Sequence, residues 1–153
     1  MNMSKLTAKT FNLREACQML PLVQSIVHDI VELAGEVAQT RQRLHELGKV
    51  RITNRGSSEI YQDEVLSIES VVNEQTERIL EYERELIDLG LRTDRVLDGY
   101  VDFPSMRQSL PILLCWRLGE PNVRFWRRFD QPCEHRHGVD LEIIRQCGDH
   151  AFI

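Results

Sequence analysis

Two runs of apolar residues, each stepping by alternating threes and fours, constrain this chain more than any other feature. Leu13, Ala16, Leu20, Val23, Val27, Ile30, Ala34, Val37, Arg41 and Leu44 make the first run; Tyr61, Val65, Ile68, Val72, Gln75, Ile79, Tyr82, Leu86 and Leu89 make the second. At 3.6 residues per turn, this spacing aligns each set along one helix face. The polar, Gly-containing stretch from Gly48 to Ser58 separates them. The pattern predicts two long helices folded into an antiparallel, coiled-coil-like hairpin.

The helix ends carry their own chemistry. Asn12 can cap the first helix with Glu15 three residues on, Phe11 stands where a hydrophobic staple belongs, and Ser57 or Ser58 can open the second helix. Gly90 offers a left-handed stop. Pro21 removes an amide donor and crowds the preceding turn, so a kink or restart is expected near Leu20. Gln75 and Arg41 read as a register-setting polar residue and a helix-end arginine reaching solvent.

Beyond residue 90 the periodicity changes. Val96 to Phe103 and Ile112 to Leu118 are β-branched, aromatic and apolar, with Pro104, Ser105 and Pro111 between them, which predicts two antiparallel strands joined by a loop. Strand alternation sets Val101 and Phe103 against Tyr100 and Asp102, and Ile112, Leu114 and Trp116 against Leu113, Cys115 and Arg117. The expected fold class is therefore α+β, a long helical hairpin packed with a small antiparallel sheet. One domain is expected over 11–153, divided into the hairpin (11–90), a β-rich part (91–138) and a C-terminal tail (139–153), after a flexible segment at 1–10.

Alternation brings Asp102 and Arg117 to one face, and Glu120 follows just after the Gly119 turn. Two carboxylates beside a guanidinium can bind an anion or metal or serve acid–base chemistry, and they can equally be a structural tie. Val123 to Phe129, reading VRFWRRF, interleaves aromatic and basic residues, so Trp126 could stack on a base or the segment could be an amphipathic edge strand or short helix. Cys133, His135, His137, Cys147 and His150 supply thiol and imidazole ligands suited to zinc, in a spacing that matches no established zinc pattern. No catalytic residue is identified. A nucleophile elbow, phosphate-cradling loop, paired CxxC and zincin helix are all absent from the sequence.

The formal charge of −5 is uneven: residues 1–90 hold 10 basic and 15 acidic residues, while residues 91–153 hold 9 of each. An acidic body argues against broad nucleic-acid binding. The basic tip of the hairpin (Arg41, Arg43, Lys49, Arg51, Arg55) could grip phosphate or an acidic partner, although cations there also suit the first helix's dipole. No apolar run is long enough to span a bilayer and no signal-peptide apolar region is present, so a cytoplasmic protein is expected. In that compartment the four dispersed cysteines read as thiols rather than disulfides.

The ordered set Phe11-x-Leu13-x-Glu15-Ala16, Leu20-Pro21, Gly99-x-Val101-Asp102-Phe103-Pro104, Leu114-Cys115-Trp116-Arg117-Leu118-Gly119-Glu120-Pro121 and Trp126 resembles the bacterial family known as domain of unknown function 2203, from about Phe11 to His137. The resemblance implies a fold family and no activity. It leaves a candidate ligand-binding set of Asp102, Arg117, Glu120, Trp126 and Arg136. In that family the tryptophan matching Trp126 is usually followed by histidine, where this chain has Arg127, and the arginine matching Arg136 is usually preceded by glycine, where this chain has His135. Were the missing histidine a base or a ligand, His135 or His137 would have to replace it.

The role expected is a non-catalytic interaction or scaffold protein, forming a homodimer or other homo-oligomer through helix faces and open to a protein partner. The alternative is a small-molecule- or metal-binding enzyme or sensor built on the Asp/Arg/Glu cluster. A third is nucleic-acid contact through the basic tip or the VRFWRRF segment.

Overall fold

The computed structural model describes residues 9–53 and 58–145, the side chains of 50–53 and 58–61 excepted. Two long helices, α1 (Leu13–Thr53) and α2 (Ser58–Asp88), pack antiparallel, with Gln75 Nε2 donating to Glu36 Oε2 at 2.9 Å and Arg43 reaching Glu64 at 3.5 Å. Four antiparallel strands follow in the order β1 (Tyr100–Arg107), β2 (Leu110–Arg117), β3 (Phe125–Arg127) and β4 (His137–Gly138). A short helix, α3 (Leu141–Arg145), closes the described chain. The fold is α+β, as the two periodicities imply.

The predicted cap is present in full. Glu15 N–H donates to Asn12 Oδ1 at 2.8 Å and Asn12 N–H to Glu15 Oε1 at 3.0 Å, a reciprocal capping box. Phe11 is buried edge-on against Phe103, with ring centroids 5.7 Å apart, and its amide donates to Pro104 O. At the same end of the hairpin, where α2 stops, Gly90 adopts φ 95°, and the Leu91 amide donates back to Leu86 O, as a left-handed helix stop requires.

Three expectations need correction. α1 does not restart at Pro21 but stays helical through it, because Leu20, Val23, Val27 and Ile30 bury that stretch and packing outweighs one lost backbone bond. The strands span Tyr100–Arg107 and Leu110–Arg117, whereas Val96–Asp98 is one 3-10 turn. Pro104 and Pro111, read as loop punctuation, lie inside the hairpin: β1 is an edge strand, where proline is tolerated, and the connection is only Gln108 and Ser109, at φ 50° and 66°. Two positive φ angles mark a type I′ turn, and nothing in a Gln-Ser pair signals one. The C-terminal segment from residue 139 packs onto the body as far as Arg145, with Ile143 buried in the core. Residues 1–8, Ser57, Arg55, Cys147 and His150, and the side chains of Arg51 and Ser58, lie outside the described residues.

The core lies between α1 and one face of the sheet. Leu20, Val23, Val27 and Ile30 meet Val101, Phe103, Leu114 and Trp116, with Leu86 of α2 joining them. Among the described residues no helix is long and apolar enough to cross a membrane. Towards the hairpin tip the burial thins: Leu44 and Leu47 are only half-buried, and Arg41 and Arg43 are exposed.

Candidate functional site

Strand alternation places Tyr100, Asp102, Cys115, Arg117, Phe125 and Arg127 on the sheet face turned away from α1. Asp102 stands directly opposite Cys115. The 3-10 turn Cys133–His135 covers this face, and Tyr100, Cys115 and Cys133 form a small buried cluster of their own.

Asp102 and Arg117 share the face, as alternation predicts, but they are not partners. Arg127 reaches in from β3, and its Nη2 donates to Asp102 Oδ2 at 2.6 Å while Nη1 donates to Gln131 O at 2.6 Å. Both members of the pair are buried, Asp102 at 2% and Arg127 at 7% exposure. The second carboxylate oxygen, Oδ1, and Arg127 Nε have no hydrogen-bond partner. Burial pushes the Cys115 thiol up to about 12, with the Asp102 charge and Cys133 adding to it. Burial, then Asp102, also raises Cys133. Both thiols are therefore protonated at neutral pH.

A second polar layer lies at the rim. Glu120 takes a two-pronged bond from Arg136, at 2.8 and 2.5 Å, and accepts the Arg117 amide at 2.7 Å. Its backbone oxygen accepts Trp116 Nε1 at 2.9 Å. The Arg117-Leu118-Gly119-Glu120 turn is thereby tied at both ends, and Gly119 (φ 102°) gives it the left-handed residue it needs. Arg136 also lies over the Phe125 ring, 4.0 Å from its centroid, and its charge partly offsets the rise in the Cys115 thiol. The Arg117 guanidinium turns to the Tyr100 ring, 4.9 Å from its centroid, and Arg95 approaches the same ring at 5.2 Å.

Thus Asp102, Glu120, Arg117 and Arg136 gather around one sheet face. Trp126 does not join them. It opposes Leu114 and His137 on the helix side, with the Arg107 guanidinium 5.0 Å and the His137 ring 4.9 Å from it. The thiol and imidazole set is likewise divided: Cys133 is buried under the outer face, His135 is exposed, and His137 is exposed beside Trp126, with Nε2 3.1 Å from Gln131 Oε1. Cys133 instead meets Asp102 and Cys115, whose ligand atoms all lie within 4.8 Å of one another.

The sequence reading missed Arg127, because VRFWRRF suggests surface cations, and missed Cys115 as a neighbour of Cys133, since only the β1–β2 register and the covering turn bring them together. It also missed a second stripe on α2. Leu66, Leu80 and Ile87, at seven-residue multiples with Asn73 between, are 63%, 58% and 52% exposed. That signal was available in the spacing alone.

The residues that build this arrangement, from the Phe11 staple to the covering turn, fall within residues 9–139, and that span matches the family described as "Uncharacterized conserved protein (DUF2203)". The chain belongs to this family. No curated protein and no solved structure matches it. Within that matched span Arg127, the residue directly after Trp126, is the buried partner of Asp102.

Proposed function

We propose that this DUF2203 chain is an assembly module in which the outward face of α2 binds the same face of a second copy. The observation that carries the reading is the double use of α2. One stripe, including Val72 and Leu86, is buried within the chain, while a second, Leu66, Leu80 and Ile87, faces solvent. Exposed apolar residues aligned along one helix face in this way suit contact with a second helix.

A second copy fits because the face is self-complementary. An antiparallel pairing about a two-fold axis near Arg84 sets Leu80 against the partner's Ile87, and Ile87 against the partner's Leu80. Arg84 then meets an acidic rim, since Glu77, Glu81 and Glu83 line the same surface. The Asp102 cluster, by contrast, is buried and ion-paired, which suits a structural tie better than a substrate site. The expected location is cytoplasmic.

Sedimentation equilibrium over a wide concentration range tests the reading. The wild-type chain should have the mass of two subunits, and Leu80→Glu and Ile87→Glu should each halve it while leaving the helical circular dichroism unchanged. Leu110→Glu, at an equally exposed leucine on the β1–β2 hairpin, should not. A single-chain mass for the wild type at every concentration, or a dimer that survives both α2 variants, would sink the proposal.

A further inference from the structure

The buried cluster on the outer sheet face supports a second inference, which does not depend on the assembly reading. Asp102, Cys115 and Cys133 come from β1, β2 and the covering turn, and they bring one carboxylate and two sulfurs within 4.8 Å of each other, all buried. Arg127 engages Asp102 Oδ2, yet Oδ1 has no partner. A buried, unpartnered carboxylate oxygen is expensive to maintain and calls for something to satisfy it. The geometry points to a site for a thiophilic divalent cation of the zinc class, held by Cys115 Sγ, Cys133 Sγ and Asp102 Oδ1, that pins the Cys133 turn to the sheet.

The dimensions and the charges both agree. Zinc–sulfur and zinc–oxygen bonds of about 2.3 and 2.1 Å put tetrahedral ligands roughly 3.5–3.8 Å apart, so these three, within 4.8 Å of one another, need draw in by at most about 1.3 Å. Arg127 would orient the ligating carboxylate, and Arg136 would donate to the Cys115 sulfur, the outer-shell roles that metal ligands ordinarily need. Binding exchanges one divalent cation for two thiol protons: M²⁺ + 2 RSH gives M(SR)₂ + 2 H⁺, with the protons leaving to solvent. The charge of the Asp102–Arg127 pair and its two thiols is zero before the exchange and zero after it. A monovalent cation held by both thiolates would leave a buried negative charge uncompensated. Two thiolates select a soft metal over magnesium or calcium. A fourth ligand position is left for water or a small anion.

Among the described residues a second group, His28, Asp29 and Glu32, could also offer donors, but it is largely exposed and holds only nitrogen and oxygen. The test separates the two. The full chain, stripped with a chelator under reducing conditions, is titrated with Co²⁺ as a spectroscopic stand-in for zinc. One cobalt per chain should bind with a thiolate-to-metal charge-transfer band, and zinc should displace it. Cys133→Ser should weaken binding at least about tenfold and diminish the band, whereas Cys17→Ser should change neither. Because changes at these buried thiols can unfold the sheet, alkylation of the wild type in mild denaturant gives a second readout: saturating zinc should protect Cys115 and Cys133 and not Cys17. Cobalt binding without a thiolate band, a band that survives Cys133→Ser, or equal alkylation with and without zinc would overturn the proposal.

Discussion

The helical hairpin and the outer sheet face of this molecule are stabilised by opposite means. In the hairpin, apolar residues are removed from water in a repeating pattern, and each contributes in proportion to its own burial. On the sheet face, a carboxylate and a guanidinium are buried together beside two thiols, and each charge is tolerable only because of the other. The first kind of interior degrades gradually when altered. The second fails when any one member is removed.

The largest effect should therefore come from separating the buried pair. Asp102→Ala leaves the Arg127 guanidinium buried without its carboxylate, and a loss of about 3–5 kcal/mol is expected in urea unfolding. Replacing both residues, Asp102→Leu with Arg127→Met, should recover most of that stability, because neither charge remains to be desolvated. If the double variant were as unstable as the single, the pair would be contributing specific geometry rather than charge compensation, and the contrast between the two regions would weaken.

These two interiors also differ in how far the sequence discloses them. A helix stripe repeats, so Leu13 to Leu44 and Tyr61 to Leu89 announce both the hairpin and the faces that meet, and the Asn12–Glu15 box marks where it starts. Strand alternation likewise sorts Asp102 and Cys115 from Phe103 and Trp116 correctly. What alternation cannot supply is which neighbour a charge will choose. Arg117 and Arg127 both point to the outer face, and the choice between them depends on the β2–β3 register and on the tight turn through Gln108 and Ser109, whose positive φ angles no glycine advertises. Pairing across strands is a tertiary property. The covering turn with Cys133 is more remote still, since nothing local links it to Asp102.

A substitution of intermediate size sharpens the comparison from the hairpin side. Leu86, fully buried where α2 meets α1 and the sheet, should lose about 2–5 kcal/mol on Leu86→Ala. The same change at half-buried Leu44, near the tip, should cost distinctly less, because its neighbourhood is partly solvated in the native chain. Equal losses at the two sites, read from the urea midpoints at an unchanged slope, would mean that the hairpin tip is as tightly held as its base. The graded picture would then be wrong.

The smallest effect lies at the edge between the regions, where α3 is clipped to β1. Arg107 donates twice to Asp140 Oδ2, at 3.1 and 2.7 Å, and Asp140 Oδ1 accepts the Ile143 amide at 3.2 Å. The Arg107 bonds, helped by the backbone amide, hold the Asp140 carboxyl below the usual aspartate range. A carboxyl depressed in the folded state adds stability above its unfolded value, near 3.9, and loses it as pH falls through the lower folded value. The pair is partly exposed, so solvent screening limits its worth to under about 1 kcal/mol. Asp140→Asn, which keeps an oxygen for the Ile143 amide, should be slightly less stable than the wild type at pH 7, and the two should converge in acid below the folded value. A difference that persisted or grew in acid would show that Asp140 acts through its shape at the start of α3 rather than through its charge.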